Sequence, residues 1–418
     1  MKKLFALLSL FLTLNFTALS VEGMWIPSLI DMFHSDMKTL GLKLTAEQIY
    51  STNNSSLKDA VVQFNGGCTA EIVSDQGLLL TNHHCGFDAI QKHSSLENDY
   101  LKNGFWAKSQ VEEIPCPWLR VTFVKEIRDV TEGVFKGVTS EMSESEKAKM
   151  IAKNIAAIES AEGASGKITA KIKPFNLGNE YFMLITEDYN DFRLVGAPPS
   201  AIGKYGGDTD NWVWPRHTGD FSVFRIYANG ENKSSAYDKA NKPFKPEHSL
   251  PVSLTPKKKG DFTMVYGFPG KTEQHLCSAQ LDYIMNDMRP AQIRMRDKSL
   301  SVINASMGSS DALRIMYASK QARIANAWKK WIGQLGGLKT VDAMQIKYDR
   351  EAQFEARARG RNDWNEMYGM VIKKMNALAA SEGKYDVAYN MFIEYAYVGP
   401  ELFGRTRQMQ EVMEEIAQ

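Results

Sequence analysis

Between about residues 58 and 275 the sequence never sustains an apolar run for long: short alternating or apolar stretches are cut repeatedly by Gly, Pro, Asn and Asp. Such punctuation leaves little room for long helices and predicts many short strands, as in an all-β barrel or sandwich. The stretches are Ala60 to Phe64, Cys68 to Val73, Leu78 to Thr81, Leu119 to Val124, Ile168 to Ile172, Tyr181 to Thr186, Arg193 to Gly196, Phe221 to Tyr227 and Phe262 to Tyr266. One helix is expected to interrupt them, opened by the capping box Ser143-Glu144-Ser145-Glu146 and carried by Met150, Ile151, Ile155 and Ile158 at helical spacing. After about residue 275 the pattern reverses. Long stretches rich in Ala, Met, Arg, Lys, Glu and Gln, with Gly336-Gly337-Leu338 and Gly360 as turn signals, predict a helical domain over 276–418.

Before the strands, Met1-Lys2-Lys3, the apolar run Leu4 to Phe16 and Ala18-Leu19-Ser20 make a basic segment, an apolar core and a small-x-small cleavage site. The expectation is a signal peptide over 1–20, removed on export. Its apolar core is shorter than the roughly 20 residues a spanning helix needs, and no later stretch is long enough either. The sequence thus predicts a protein without a membrane span, periplasmic or secreted. The mature chain, 21–275 and then 276–418, can bury a core of two or three domains. Fifty basic residues balance 49 acidic ones, and no basic block recurs with interleaved aromatics, which argues against a nucleic-acid partner.

Export into an oxidising compartment favours disulfides for the four cysteines, Cys68, Cys85, Cys116 and Cys277, and no Cys-x-x-Cys metal spacing is present. Cys68 follows the Gly66-Gly67 turn and Cys85 follows a histidine pair, so these two are expected to bridge first. Cys116 and Cys277 are then left as a second bridge by elimination.

The densest chemistry lies in Leu79-Leu80-Thr81-Asn82-His83-His84-Cys85-Gly86, where a β-run ends and two histidines follow. A general base must be held rigidly within hydrogen-bond reach of its nucleophile and be oriented by a third group. His84, beside the cysteine, is the candidate base. The bland alternative is a pair of polar residues at a strand end. A metal site of His83, His84, Cys85 and His217 is disfavoured, because adjacent side chains of an extended segment point to opposite faces.

A second dense segment runs Gly206-Gly207-Asp208-Thr209-Asp210-Asn211-Trp212-Val213-Trp214-Pro215-Arg216-His217-Thr218-Gly219-Asp220-Phe221. It reads as a shaped loop, with Asp220 opening the strand beyond it. A buried carboxylate on the Nδ1 proton of an imidazole fixes the tautomer and stabilises the imidazolium. Asp208 and Asp210 are rivals for that role on chemistry alone, and all three could instead be turn-making Asx residues.

Glu22-Gly23-Met24-Trp25-Ile26-Pro27, T-N-H-H-C-G at 81–86, G-G-D-T-D-N-W at 206–212, P-R-H-T-G-D-F-S at 215–222 and Gly267-Phe268-Pro269-Gly270 together resemble the bacterial dipeptidyl-peptidase 7 and 11 family of serine exopeptidases. The resemblance runs over essentially the whole mature chain and is strongest up to residue 275. It implies a chymotrypsin-like double β-barrel into which a helical domain is inserted, here an incomplete barrel followed by the start of the helical lid. It also implies release of dipeptides from oligopeptides with a free N-terminus, no cofactor, and a homodimer. Residue by residue, it makes His84 the general base and Asp220 its orienter, and gives Asn211 and Trp212 to the pocket for the substrate's N-terminal amine. Asn326, within Ile324-Ala325-Asn326-Ala327-Trp328, matches a further substrate-anchoring asparagine.

The family's serine sits in a Gly-Asn-Ser-Gly-type turn beyond the helical domain, and that motif is not found in these 418 residues. Gly163-Ala164-Ser165-Gly166 and Gly308-Ser309-Ser310-Asp311 are the nearest look-alikes, and both read as turns at helix ends. The expectation is therefore a chain ending before its nucleophile and inactive alone. The competing readings are a non-catalytic exported peptide-binding module and a histidine-based metallohydrolase.

Overall fold

The structure is a computed structural model that describes residues 24–163, 168–271, 273 and 275–417. Residues 1–20 of the expected signal peptide and Ser165 lie outside the described residues. The chain divides into two compact units, one of 1–59, 124–186 and 254–265, the other of 60–123, 187–253 and 266–418.

Among the described residues eleven strands carry the sheet: β1 (Val61–Phe64), β2 (Cys68–Ile72), β3 (Leu78–Thr81), β4 (Phe105–Trp106), β5 (Ile114–Pro115), β6 (Val121–Asp129), β7 (Thr169–Phe175), β8 (Glu180–Tyr189), β9 (Asp191–Ala197), β10 (Ser222–Ala228) and β11 (Lys242–Pro243). In the larger unit the order is β4-β9-β10-β3-β2-β1 and then the start of β6, with β5 on β9 and β11 on β10. The registered pairs are antiparallel, as hairpins permit: Phe64 faces Cys68 across the first turn, and Thr81 faces Ser222 where β3 meets β10. In the smaller unit β7 pairs with β8 from Thr169↔Thr186 to Phe175↔Glu180.

Inward side chains of the larger unit's sheet, among them Phe64, Ile72, Leu79, Phe192, Leu194, Phe224 and Ile226, are fully buried. Phe192 and Phe224 stack with ring centroids 4.9 Å apart, and Phe64 packs against both. Each such side chain contributes roughly 1.5–3 kcal/mol by leaving water. The helix His83–Lys92 covers this core with Phe87, Ala89 and Ile90, and Ala318 of the helix Asp311–Thr340 joins the same cluster. Gln91 ties the two helices, donating to the Met316 carbonyl at 2.8 Å and accepting from the Ser319 N–H at 2.9 Å.

The helix expected after Ser143 forms as Glu144–Gly163, with the Ser143 N–H donating to Glu146 Oε2 at 2.8 Å. From Ser278 onward the described chain is helical almost throughout. Ser309 ends one of these helices and Ser310 caps the next, accepting from the Leu313 N–H at 3.3 Å, so the look-alike at 308–311 is a helix junction.

Four expectations need correcting. Phe262 to Tyr266 is not a strand. Gly336 and Gly337 lie inside the helix Asp311–Thr340, whose many intrahelical bonds tolerate the modest cost of two glycines. More than one helix interrupts the strands, the most consequential being His83–Lys92. Cys116 and Cys277 are both free and buried, not bridged to each other. Cys116 sits beside His93 Nε2 at 3.5 Å, and burial pushes its thiol up to about 12. Among the described residues no helix is long and apolar enough to cross a membrane.

Candidate active site

Strand β3 ends at Thr81, whose hydroxyl donates to the Thr69 carbonyl at 2.8 Å. The chain then turns through Asn82 directly into the helix His83–Lys92. The two histidines are therefore the first residues of a helix rather than the end of an extended strand, which replaces the alternation argument with a helical one. About 100° of rotation per residue still sends them apart. His83 is buried, while the His84 side chain is 65% exposed. Cys85 is bonded to Cys68 at the start of β2, so the first helical turn is tied covalently to the sheet.

Asp220 is the carboxylate that reaches this corner. Its Oδ2 lies 2.9 Å from His84 Nδ1, and its Oδ1 accepts from the His84 backbone N–H at 3.1 Å. Asn82 Nδ2 donates to the same carboxylate at 3.3 Å, and Ser222 Oγ donates to the Asn82 carbonyl at 2.8 Å. Asp220 lies two residues before β10 rather than opening it, so the β3–β10 pairing brings it to His84. Burial pushes the Asp220 carboxyl up, but the His84 ring, the His84 backbone N–H and the charge of Arg216 outweigh it and hold the group below its ordinary value. An ionised carboxylate on Nδ1 leaves the Nε2 lone pair of an exposed ring available to take a proton. Among the described residues the His84 ring is hydrogen-bonded to Asp220 alone.

The rival carboxylates are engaged elsewhere. Asp208 pairs with Lys204 at 3.2 Å and accepts from Gln321 Nε2 at 2.9 Å. Asp210 folds over Gly206, its carboxylate oxygen standing 2.0 Å from where a Cβ would lie. His217 is exposed and, among the described residues, belongs to no cluster of metal-binding type. The His84 ring and the sulfurs of Cys68 and Cys85 lie within 4.8 Å of one another, yet the sulfurs share a disulfide and offer no thiolate.

Asn211 and Trp212 meet Asn326, more than a hundred residues away in sequence. Asn211 Nδ2 donates to Asn326 Oδ1 at 2.9 Å, and Trp212 Nε1 lies 3.0 Å from both the side-chain and main-chain oxygens of Asn326. Trp212 has φ 58°, a conformation that costs a bulky residue and that these bonds help to hold. Arg216 NH1 donates to Asn211 Oδ1 at 3.2 Å, and Lys330 lies 5.8 Å from the Trp212 ring centre. The cluster combines amide oxygens, an indole face and a strained loop, which suits a small polar headgroup.

Sequence reasoning passed over Asn82 and Arg216, although both lie within the segments it singled out. It also gave His83 no positive role, because nothing in the sequence marks which of two adjacent histidines turns inward.

Helices pack on an antiparallel sheet, and an imidazole–carboxylate pair stands at the seam of two of its strands. The chain belongs to the Peptidase S46 family, whose model matches residues 20–418. It is 47% identical to an Asp/Glu-specific dipeptidyl-peptidase of Capnocytophaga gingivalis over 99% of this chain and 59% of that protein. It is 38% identical to a dipeptidyl-peptidase 7 of Porphyromonas endodontalis over 99% of this chain and 50% of that one. The crystal structure of Porphyromonas endodontalis DPP11 in complex with the dipeptide Arg-Glu superposes with a TM-score of 0.82 at 35% identity, covering 91% of this chain and 55% of that one. The chain thus spans a little over half the length of the relatives it matches.

Proposed function

We propose that this chain supplies the base and the amine-recognition half of a serine-type dipeptidyl-peptidase. His84 is the general base, taking the proton from a serine hydroxyl as it attacks the second peptide bond and returning it to the leaving amine. Asp220 holds the His84 ring in the Nδ1–H tautomer and stabilises the imidazolium. Asn211, Trp212 and Asn326 receive the free N-terminal amine of an oligopeptide, so that only a bond a fixed distance away reaches His84. Residues 21–275 form the N-terminal part of a chymotrypsin-like double barrel and 276–418 the start of its helical lid. Residues 1–20 direct export to the periplasm or the exterior.

The observation that carries this reading is the 2.9 Å contact of His84 Nδ1 with Asp220 Oδ2 on a side chain that is 65% exposed. The relatives named as dipeptidyl-peptidases, and the solved relative holding a dipeptide, support the substrate class. No Gly-Asn-Ser-Gly turn occurs within these 418 residues, and a general base acts only where a nucleophile is supplied to it. The test is to assay fluorogenic dipeptidyl substrates with the chain alone and with a complementing C-terminal segment from a relative. Activity only on complementation, lost in His84→Ala and Asp220→Ala, supports the reading. Activity of the chain alone, abolished by Ser165→Ala, overturns it.

A further inference from the structure

His83 is absorbed by no step of the proposed reaction, yet its environment is more constrained than that of His84. The ring is 1% exposed, is hydrogen-bonded to the backbone of Pro198 and leaves Nε2 buried with no partner. Proline offers only a carbonyl, so the ring donates there, through Nδ1–H. The ring also lies against Gly203. A Cβ built on Gly203 would stand 2.3 Å from Cδ2 and 2.4 Å from Cγ of His83, closer than any side chain allows.

Gly203 ends the short helical turn Ser200–Gly203, and the opposite side of that turn is gripped as well. The Gly219 N–H donates to the Ile202 carbonyl at 3.0 Å, and a Cβ on Gly219 would stand 2.8 Å from Ile202 Cγ2. Gly219 directly precedes Asp220, and His83 directly precedes His84. The turn is therefore clamped between the chain neighbours of the two members of the pair. From its end the loop leads to Asn211 and Trp212, braced on the way by Lys204, which pairs with Asp208, and by Gln321. Thr218 closes it, its hydroxyl donating to the Tyr205 carbonyl at 3.0 Å.

We propose that His83 is a positioning residue: its ring, seated on Gly203, fixes the offset between the His84–Asp220 pair and the amine pocket of Asn211, Trp212 and Asn326, and so sets which bond of a bound peptide is presented. This rests on the proposed reading of the site. A buried, neutral imidazole suits the task because it is rigid, flat enough to lie on a glycine, and anchored by one directional bond to Pro198. Displacement of about 1 Å between an anchoring pocket and a reacting group can cost on the order of a hundredfold in rate.

The proposal is tested on the full chain by two readouts that need no turnover: the affinity for the dipeptide Arg-Glu by calorimetry, and the titration of the His84 ring by NMR. Gly203→Ala must push the ring or the turn aside, and is expected to weaken dipeptide binding about tenfold or more and to shift the His84 titration. His83→Ala is expected to move both readouts in a milder degree. The double variant His83→Ala/Gly203→Ala, in which the missing ring makes room for the methyl group, is expected to recover binding to within about threefold of the unmodified chain. If Gly203→Ala fails to fold, His83→Ala and the double variant decide alone. Folded variants that melt earlier yet bind dipeptide and titrate at His84 as before would overturn the proposal and leave His83 as packing. Absence of dipeptide binding in the unmodified chain counts instead against the amine-pocket reading, and the His84 titration then decides whether the clamp acts on the pair.

Discussion

Asp220 grips His84 twice, through the ring and through the main chain: Oδ2 meets Nδ1 at 2.9 Å while Oδ1 accepts from the His84 backbone N–H at 3.1 Å. The second bond satisfies an N–H in the first turn of the helix His83–Lys92, a task the Asn82 side chain does not perform although Asn82 holds the N-cap position. A residue distant in sequence thus serves as the helix cap. The same helix end, with its unpaired N–H groups, favours a negative charge at the place where the imidazole needs one.

Substitution of Asp220 should separate these two roles. Asp220→Ala is expected to lose the cap at a cost of about 1–2 kcal/mol. Asp220→Asn keeps an oxygen for the N–H and should retain most of that stability. Both should lower kcat/KM in the complemented enzyme by about four orders of magnitude, because the amide cannot stabilise an imidazolium. Melting curves beside rate measurements check the separation; an active Asp220→Asn variant would contradict it.

Acid stability should carry two signatures. His83 is pushed down to about 4 by burial, and burial also lowers His93. Between the ordinary histidine value near 6.5 and about 4, the unfolded chain binds more protons than the folded one. Stability should then fall with falling pH, by up to about 1.4 kcal/mol per pH unit from His83. Asp220, held below its ordinary value, contributes stability that is complete above about pH 4 and lost only as pH drops through its folded value. Urea midpoints for the unmodified chain and His83→Phe at pH 7 and pH 5 should differ more in the former.

The Cys68–Cys85 bridge spans 17 positions, and its removal should cost roughly 3 kcal/mol through the entropy of the unfolded chain. A matched fall in melting temperature is expected for Cys68→Ala/Cys85→Ala and for the reduced unmodified chain. Because the bridge ties the first turn of the histidine helix to β2, the His84 NMR signal should broaden in both.

Cys116 and Cys277 should resist thiol reagents in the folded protein, since both are buried and the Cys116 thiol is pushed up to about 12. Under non-reducing conditions an aromatic disulfide reagent is expected to titrate no rapid equivalents before denaturation and two after it.

Asn326→Ala should loosen the hold on Trp212 and remove from the pocket the one side-chain oxygen that accepts from both Asn211 and Trp212. Dipeptide affinity is expected to fall about tenfold to a hundredfold, the range for a hydrogen bond to a charged group. The same substitution should leave the His84 titration unchanged, which distinguishes it from changes at Gly203.

Much of the site was legible in the sequence because it rests on local signals. Strands β1, β2, β3 and β10 fall within a residue or two of the apolar runs that announce them, the Ser143 box opens the helix it promises, and Cys68 and Cys85 bridge as placed. What misled was equally local. Gly336-Gly337 looks like a turn, but helix–helix packing outweighs the small penalty of two glycines. Phe262 to Tyr266 alternates like a strand, yet it forms no ladder, and alternation cannot supply a partner.

The sequence by itself determined the switch from strands to helices near 275, the residues rich in chemistry and the family they resemble, since each is written in spacing and residue type over short distances. Only the tertiary structure decided which of three carboxylates meets the imidazole, which of two adjacent histidines turns inward, and that Asn326 closes on Asn211 and Trp212. These are contacts between segments roughly 115 to 140 residues apart, set by the pairing of β3 with β10 and by the seating of one helix on another. Such pairings follow from the joint burial of many side chains, and no short stretch of sequence encodes them.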